Sequence, residues 1–398
     1  MERNRSKRRV SRIMAGMLAI ILCFATSLAA LAGTGGTVTN PQKAILTKNL
    51  RYATGAGLST PTANFTYTFT KVQLDGSTNP ADLAAMPAIA PAALSFSSAD
   101  TSTLVGGMEQ VTKTVDVLNG LTWTRTGVYE YHVEEDTTGF TAGPGENMIF
   151  SQAEFTLYVV IAYDSGTSTY FPEITWTQQT VLNNGTPGGA KGNPDDVLDG
   201  SYNFIFENIY TKQGGGITPG TDALTITKNT TGTGSDPSKA FSFTLTADDT
   251  GAGVLVPGGS YSGTLTQGGV TTTVSLTADG TAYPFTLASG DSLVIDDALA
   301  GTTFEVTETG AASYIPSYAG TVGNSVAITA AGTVGTNLAT GTQTIGAINN
   351  EVNYTNTFDN SLIPTGILNN VVPVLALLAL AVLGFIAFAA INHRKVSR

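Results

Sequence analysis

Apolar and polar residues alternate with a period of two in short runs through residues 44–358, and stretches rich in Gly, Pro, Asn and Asp separate the runs. That pattern predicts half-buried β-strands joined by turns. One ordered series of such runs occurs twice. The first reads AILTKNL (44–50), FTYTFT (65–70), GVYEYHVEED (127–136) and YNFIFENIY (202–210). The second reads ALTITKNT (223–230), FSFTLT (241–246), TTFEVTET (302–309) and VNYTNTF (352–358). Between them lies KQGGGITPGT (212–221), whose Gly and Pro mark a linker. The expected architecture is all-β: two tandem immunoglobulin-like β-sandwich domains over 34–211 and 222–359. The first carries additional material, including an Ala/Pro-rich segment near 79–93.

Six polar residues break the alternation in the same way in both series. Lys48 shares a face with Leu46 and Leu50, and Glu135 with Tyr129, Tyr131 and Val133. Asn208 shares one with Tyr202, Phe204, Phe206 and Tyr210. In the second series Lys228 falls with Leu224 and Ile226, Glu308 with Phe304 and Val306, and Asn356 with Val352, Tyr354 and Phe358. Any one of them alone has an ordinary reading. A Lys beside leucines snorkels to water, a strand-end Glu is solvated, and an Asn satisfies a turn. The same ordered Lys, Glu and Asn on the apolar face of both series singles them out, because a buried unpaired charge is strongly destabilising.

The two ends read as targeting segments. Arg3, Arg5, Lys7, Arg8, Arg9 and Arg12 precede the apolar run IMAGMLAIILCFATSLAALA, which closes on Ala30-Leu31-Ala32. These are the basic, apolar and small-x-small parts of a secretory signal over 1–32. A lipoprotein site at Cys23 is disfavoured, because Leu22 fills a position that needs a small residue. Near the other end Val371–Ile391 is uncharged and long enough to span a bilayer. Arg394, Lys395 and Arg398 follow it and assign that end to the cytoplasm. The bulk of the chain is therefore expected outside the cell.

Charge and composition narrow the function. The leader holds six Lys/Arg and one acid, and the segment after Gly366 holds three Lys/Arg; without them ten bases face 29 acids, a net of −19. Phosphate binding needs a basic face, so nucleic acid is not an expected partner. The only cysteine, Cys23, leaves with the leader, so the mature chain has no disulfide and no cysteine nucleophile. His132 is the only histidine between the terminal segments, which argues against a Ser-His-Asp triad or a His-rich metal site. NPDDVLDG (193–200) clusters acids without the calcium-loop spacing. No cofactor is expected.

Burial would make each trio reactive. A desolvated Lys loses its proton more easily and becomes an amine nucleophile, and a desolvated Glu keeps its proton. A carboxyl beside the Asn carboxamide can polarise its carbonyl and move protons. Lys Nζ would then attack Asn Cγ, ammonia would leave, and a neutral amide would join the two side chains. Folding supplies the effective concentration. On this expectation Lys48 joins Asn208 with Glu135 assisting, and Lys228 joins Asn356 with Glu308 assisting.

These motifs resemble those of the Gram-positive, streptococcal-type backbone pilins with intramolecular isopeptide domains. The resemblance rests on the Lys-bearing first strands, on GVYEYHVEE and FEVTE with their terminal Glu, and on FIFENIY and VNYTNTF with their Asn. It covers nearly the whole mature chain. It implies a bond between the first and last strands of each sandwich and a mechanical role, with pulling force carried by the covalent tie. By analogy with disulfides, closing such loops contributes about 4–5 kcal/mol each.

LIPTG (362–366) resembles a cell-wall sorting signal read by a sortase, although Pro364 directly precedes Thr365, unlike the common form. The resemblance implies cleavage between Thr365 and Gly366, with a thioester passing Thr365 to an amine. Partners implied are a sortase, neighbouring pilin subunits, peptidoglycan and minor pilins. Residues 33–366 hold eight lysines, and two belong to the trios. Of the rest, Lys191 in the Gly/Pro loop GTPGGAKGNPDD is the first candidate to receive the next subunit, and Lys212 is the second. The alternative is a surface adhesin on the same scaffold, anchored singly to the wall. A secreted enzyme is the weakest reading, because no catalytic constellation appears beyond the self-reacting trios.

Overall fold

The computed structural model describes residues 41–195, 204–215, 222–254, 257–359, 361 and 375–388. The leader (1–32), the sorting motif with Pro364, Thr365 and Gly366, and linker residues 216–221 lie outside the described residues. So do the two ends of the apolar span 371–391, whose residues 375–388 are helical. No helix among the described residues is long and apolar enough to cross a membrane.

The chain folds as all-β sandwiches, each with its own apolar core. In the first, one sheet orders its strands Thr103–Val105, Met108–Asp116, Ile45–Ala53, Ile205–Lys212 and Glu146–Ile149. The opposing sheet orders Lys191–Gly192, Thr169–Val181, Glu154–Asp164, Gly127–Glu135 and Tyr67–Leu74. A two-stranded ribbon, Ala63–Phe65 with Leu94–Phe96, closes one side. Leu46, Leu50, Tyr129, Tyr131, Val133, Phe155, Phe204 and Phe206 from both sheets form one buried cluster. The Ala/Pro-rich segment contains a short helix, Pro80–Ala85, none of whose residues is buried. Met86 and Ile89 just after it are the residues that enter the core.

In the second sandwich a seven-stranded sheet runs Val270–Thr277, Ser260–Gln267, Ser292–Ile295, Leu224–Thr231, Glu351–Phe358, Tyr314–Val322 and Val326–Ala331. It faces a sheet built on Tyr283–Leu287, Phe241–Asp248 and Thr303–Glu308, with two short strands at its far edge. At one edge of the seven-stranded sheet, Tyr314–Val322 and Val326–Ala331 form an antiparallel hairpin.

The decisive topological feature is the same in both halves. The first strand lies parallel beside the last: Ile45–Ala53 against Ile205–Lys212, and Leu224–Thr231 against Glu351–Phe358. A parallel pair cannot be joined by a hairpin, so all the intervening chain is the crossover.

The sandwiches meet through small residues. Ala53, Ala56 and Ala300 form a separate cluster with Leu58 and Ala347 packed against it. Backbone bonds cross the contact from Ala300 N–H to the Lys212 carbonyl (2.9 Å), and from Ala347 N–H to the Ala56 carbonyl (2.8 Å). Gly301 is needed there: its φ is +101°, and a Cβ would lie 2.3 Å from that of Ala53.

Candidate functional site

Period-two alternation puts all six trio residues on inward faces, and the structure buries all of them, from 0% exposed for Lys48 to 8% for Glu135. It also brings each Lys, Glu and Asn together. Lys and Asn come from the paired first and last strands, and Glu comes from the opposing sheet. The register is identical in the two sandwiches. Asn208 stands opposite Leu50, two residues beyond Lys48, and Asn356 stands opposite Thr230, two residues beyond Lys228. Each Lys therefore lies on a same-face diagonal from its Asn, a separation that a long side chain can span.

In the first sandwich Lys48 Nζ donates to both carboxylate oxygens of Glu135 at 2.7 Å. Asn208 Nδ2 donates to Glu135 Oε1 at 2.8 Å. The Asn208 carbonyl, Oδ1, accepts from the Ser151 backbone N–H at 2.7 Å. A backbone N–H can only donate, so this contact settles which end of the carboxamide is oxygen. Asn208 thus has its nitrogen on the acid and its oxygen on a fixed donor.

The second site has the same parts with fewer contacts. Asn356 Nδ2 donates to Glu308 Oε1 at 2.6 Å. Lys228 Nζ lies 3.0 Å from the same oxygen, but at an angle that gives an ion pair without a hydrogen bond. Glu308 Oε2 and Asn356 Oδ1 have no hydrogen-bond partner among the described residues.

Each ammonium also lies over an aromatic ring: Lys48 Nζ is 4.5 Å from the centre of Phe65, and Lys228 Nζ is 4.4 Å from that of Phe241. These rings open the repeated runs FTYTFT and FSFTLT. The repeat was visible in the sequence, but its place beneath the lysine was not, because only sheet packing puts it there. The Ser151 contact had no sequence signal, since its donor is backbone.

Burial is the largest influence on all four ionisable groups. It lowers the ammonium of Lys48 to about 8, with the Glu135 charge opposing. It lowers Lys228 to about 8 likewise, against Glu308. Burial raises the carboxyls of Glu135 and Glu308, and their lysine and asparagine partners only partly offset it. Both shifts ease transfer of the proton from ammonium to carboxylate within the pair.

The spare lysines differ in freedom. Lys191 does not sit in a free loop: Lys191–Gly192 pairs as a short strand with Gln178 and Thr177. Its Nζ lies 4.6 Å from the centre of the Trp176 ring, which stacks on Tyr158 at 3.5 Å. The Gly/Pro run around it turns sharply enough to return this segment to the sheet edge, while the side chain stays exposed. Lys212 pairs with Glu146 at 3.3 Å. Lys113 pairs with Asp100 at 2.8 Å, Lys71 donates to the Met86 carbonyl, and Lys239 reaches over Phe241 and Tyr314. Lys43 is exposed at the start of the first strand.

Residues 222–357 match a family described as a domain of unknown function (DUF7601). No curated protein matches the chain. Among solved structures the chain is similar to the major pilin of Streptococcus pyogenes, at 20% identity over 81% of this chain and 100% of that one, with a TM-score of 0.32. It is similar to a second S. pyogenes major pilin, T3.2, at 17% identity over 80% of this chain and 99% of that one, with a TM-score of 0.30. A pilus-presented adhesin is similar at 16% identity over 48% of this chain and 38% of that one, with a TM-score of 0.26.

Phe65→Ala, which removes the ring under Lys48 and opens a cavity at a site with no exposure, is expected to cost about 3–5 kcal/mol. Phe65→Leu should cost much less. Denaturant midpoints of the two variants against the unaltered chain measure this, and equal losses would show that the filled volume is not what matters.

Proposed function

We propose that the chain is a backbone pilus subunit displayed on the cell surface of a Gram-positive bacterium, with each sandwich stapled by a Lys–Asn amide. The carrying observation is the pair of buried trios in one shared strand register. In each, the neutral amine of Lys adds to Asn Cγ and forms the new C–N bond. The carboxyl of Glu takes the proton that the amine sheds and gives one to the departing Asn nitrogen. The Cγ–Nδ2 bond breaks, ammonia leaves, and the carboxyl ends as it began. Lys48 joins Asn208 with Glu135 as the acid–base group, and Lys228 joins Asn356 with Glu308. No separate enzyme or cofactor takes part in stapling.

The staple lies between the first and last strands of each sandwich, so tension entering at one strand leaves by its neighbour through a covalent bond. That suits a load-bearing polymer. Sortase cleavage between Thr365 and Gly366 would then pass Thr365 to a lysine of the next subunit or to peptidoglycan. Lys191 is the first candidate lysine and Lys212 the second; Lys191 is the more exposed.

The intact mass of residues 33–361 tests the stapling. The unaltered chain should be lighter by two ammonia molecules, and Glu135→Ala and Glu308→Ala should each restore one. A full unmodified mass would sink the stapling. Polymerisation is tested in cells that carry the sortase, where the chain should form a covalent ladder that Lys191→Arg abolishes. A ladder that survives Lys191→Arg and Lys212→Arg together would remove both assignments. A single wall-linked species from the unaltered chain would instead favour the adhesin reading.

The pH dependence follows from proton counting. The reactive arrangement, neutral amine with protonated carboxyl, holds one proton, as does the ion pair from which it arises. Its share is constant with pH until the pair gains a second proton, at the raised carboxyl value, or loses its last, at about 8 for both lysines. The stapling rate should therefore fall above about pH 8. A rate that keeps climbing toward the ordinary lysine range would show that the carboxyl proton is not required.

A further inference from the structure

The two trios differ at one atom, the carbonyl oxygen of the asparagine. Asn208 Oδ1 accepts from the Ser151 N–H at 2.7 Å, whereas Asn356 Oδ1 has no partner among the described residues. When an amine adds to a carboxamide, the C=O electron pair moves onto that oxygen. A donor already aimed at it stabilises the charge without reorganising, and such donors are effective in a site that excludes water.

The Ser151 N–H is held in place by a second asparagine. Asn183 Oδ1 accepts from the Ser151 hydroxyl at 2.6 Å and from the backbone N–H of Glu207 at 3.0 Å. Glu207 is the residue beside Asn208 on the last strand. The Asn183 backbone carbonyl also accepts from the Gln152 N–H at 3.0 Å, and the Ser151 hydroxyl oxygen accepts from the Ala153 N–H at 3.1 Å. One side chain thus ties the 151–153 turn to the strand that carries the reacting Asn208.

We infer that the Ser151 N–H is an oxyanion donor for the Lys48–Asn208 reaction, that Asn183 is the residue that positions it, and that the first sandwich therefore staples faster than the second. This rests on the stapling proposed above. Lys48 Nζ bonds to Asn208 Cγ, and the carbonyl pair moves onto Oδ1 against the Ser151 N–H. Glu135 relays one proton from the amine to Nδ2. The pair on Oδ1 then re-forms the carbonyl as the Cγ–Nδ2 bond breaks and ammonia departs.

The test is a pulse of cell-free synthesis of residues 33–361, followed by timed quenching and quantitation of the two cross-linked peptides. In the unaltered chain the Lys48–Asn208 peptide should appear ahead of the Lys228–Asn356 peptide. Ser151→Pro, which deletes the N–H, should slow the first linkage by roughly a hundredfold, the effect typical of losing one such donor. Asn183→Ala should slow it at least severalfold, and Asn183→Asp, which keeps an acceptor for both donors, should recover most of the rate. The second linkage, formed in the same molecules, should keep its rate throughout and so serves as the internal standard for synthesis and quenching. Slowing by Asn183→Ala without recovery by Asn183→Asp would mean general damage to the sandwich and would overturn the positioning role. Equal rates for the two linkages, unmoved by any variant, would overturn this inference alone. Absence of both peptides from the unaltered chain would remove the stapling itself and the inference with it.

Discussion

An ammonium and a carboxylate buried side by side between two sheets govern the chemistry of this chain. Removing the pair from water is expensive, and the attraction between the charges returns that cost only with good geometry and further hydrogen bonds. The first sandwich meets those conditions: both Glu135 oxygens are engaged, and an aromatic ring faces the Lys48 ammonium. Desolvation also draws the two groups toward a shared neutral state by lowering the amine and raising the acid. Conversion to an amide would remove both charges and the burial cost with them.

That arrangement depends on strand topology. The parallel pairing of the first and last strands, in this register, puts the Lys and Asn side chains on one inward face with the Asn two residues ahead. A shift of one residue would turn one partner outward, because successive side chains point to opposite faces. Alternating apolar residues on the same strands hold the register. The core and the reactive geometry are thus specified by the same residues.

The two sites share a plan but not a degree of completion. Hydrogen bonds satisfy the first, and a turn tethered through Asn183 reaches its Asn208 carbonyl. The second leaves one oxygen of its acid and the oxygen of its amide without partners among the described residues. An orphaned buried acceptor carries a desolvation cost, so the unreacted second site is the less settled of the two. The larger first sandwich has the 151–153 and 183–185 turns available to complete its site.

Period-two alternation alone determined the all-β character, the doubling of the plan and the inward face of Lys48, Glu135, Asn208, Lys228, Glu308 and Asn356. Alternation is a local property, and face follows from it directly. Which residues touch across the sheets is not local. The rings of Phe65 and Phe241 under the lysines, the Ser151 N–H on Asn208, and the Lys191 segment drawn to a sheet edge over Trp176 were decided by tertiary packing. The backbone donor left no trace in the sequence, because every residue except proline carries the same N–H and only the folded chain aims it.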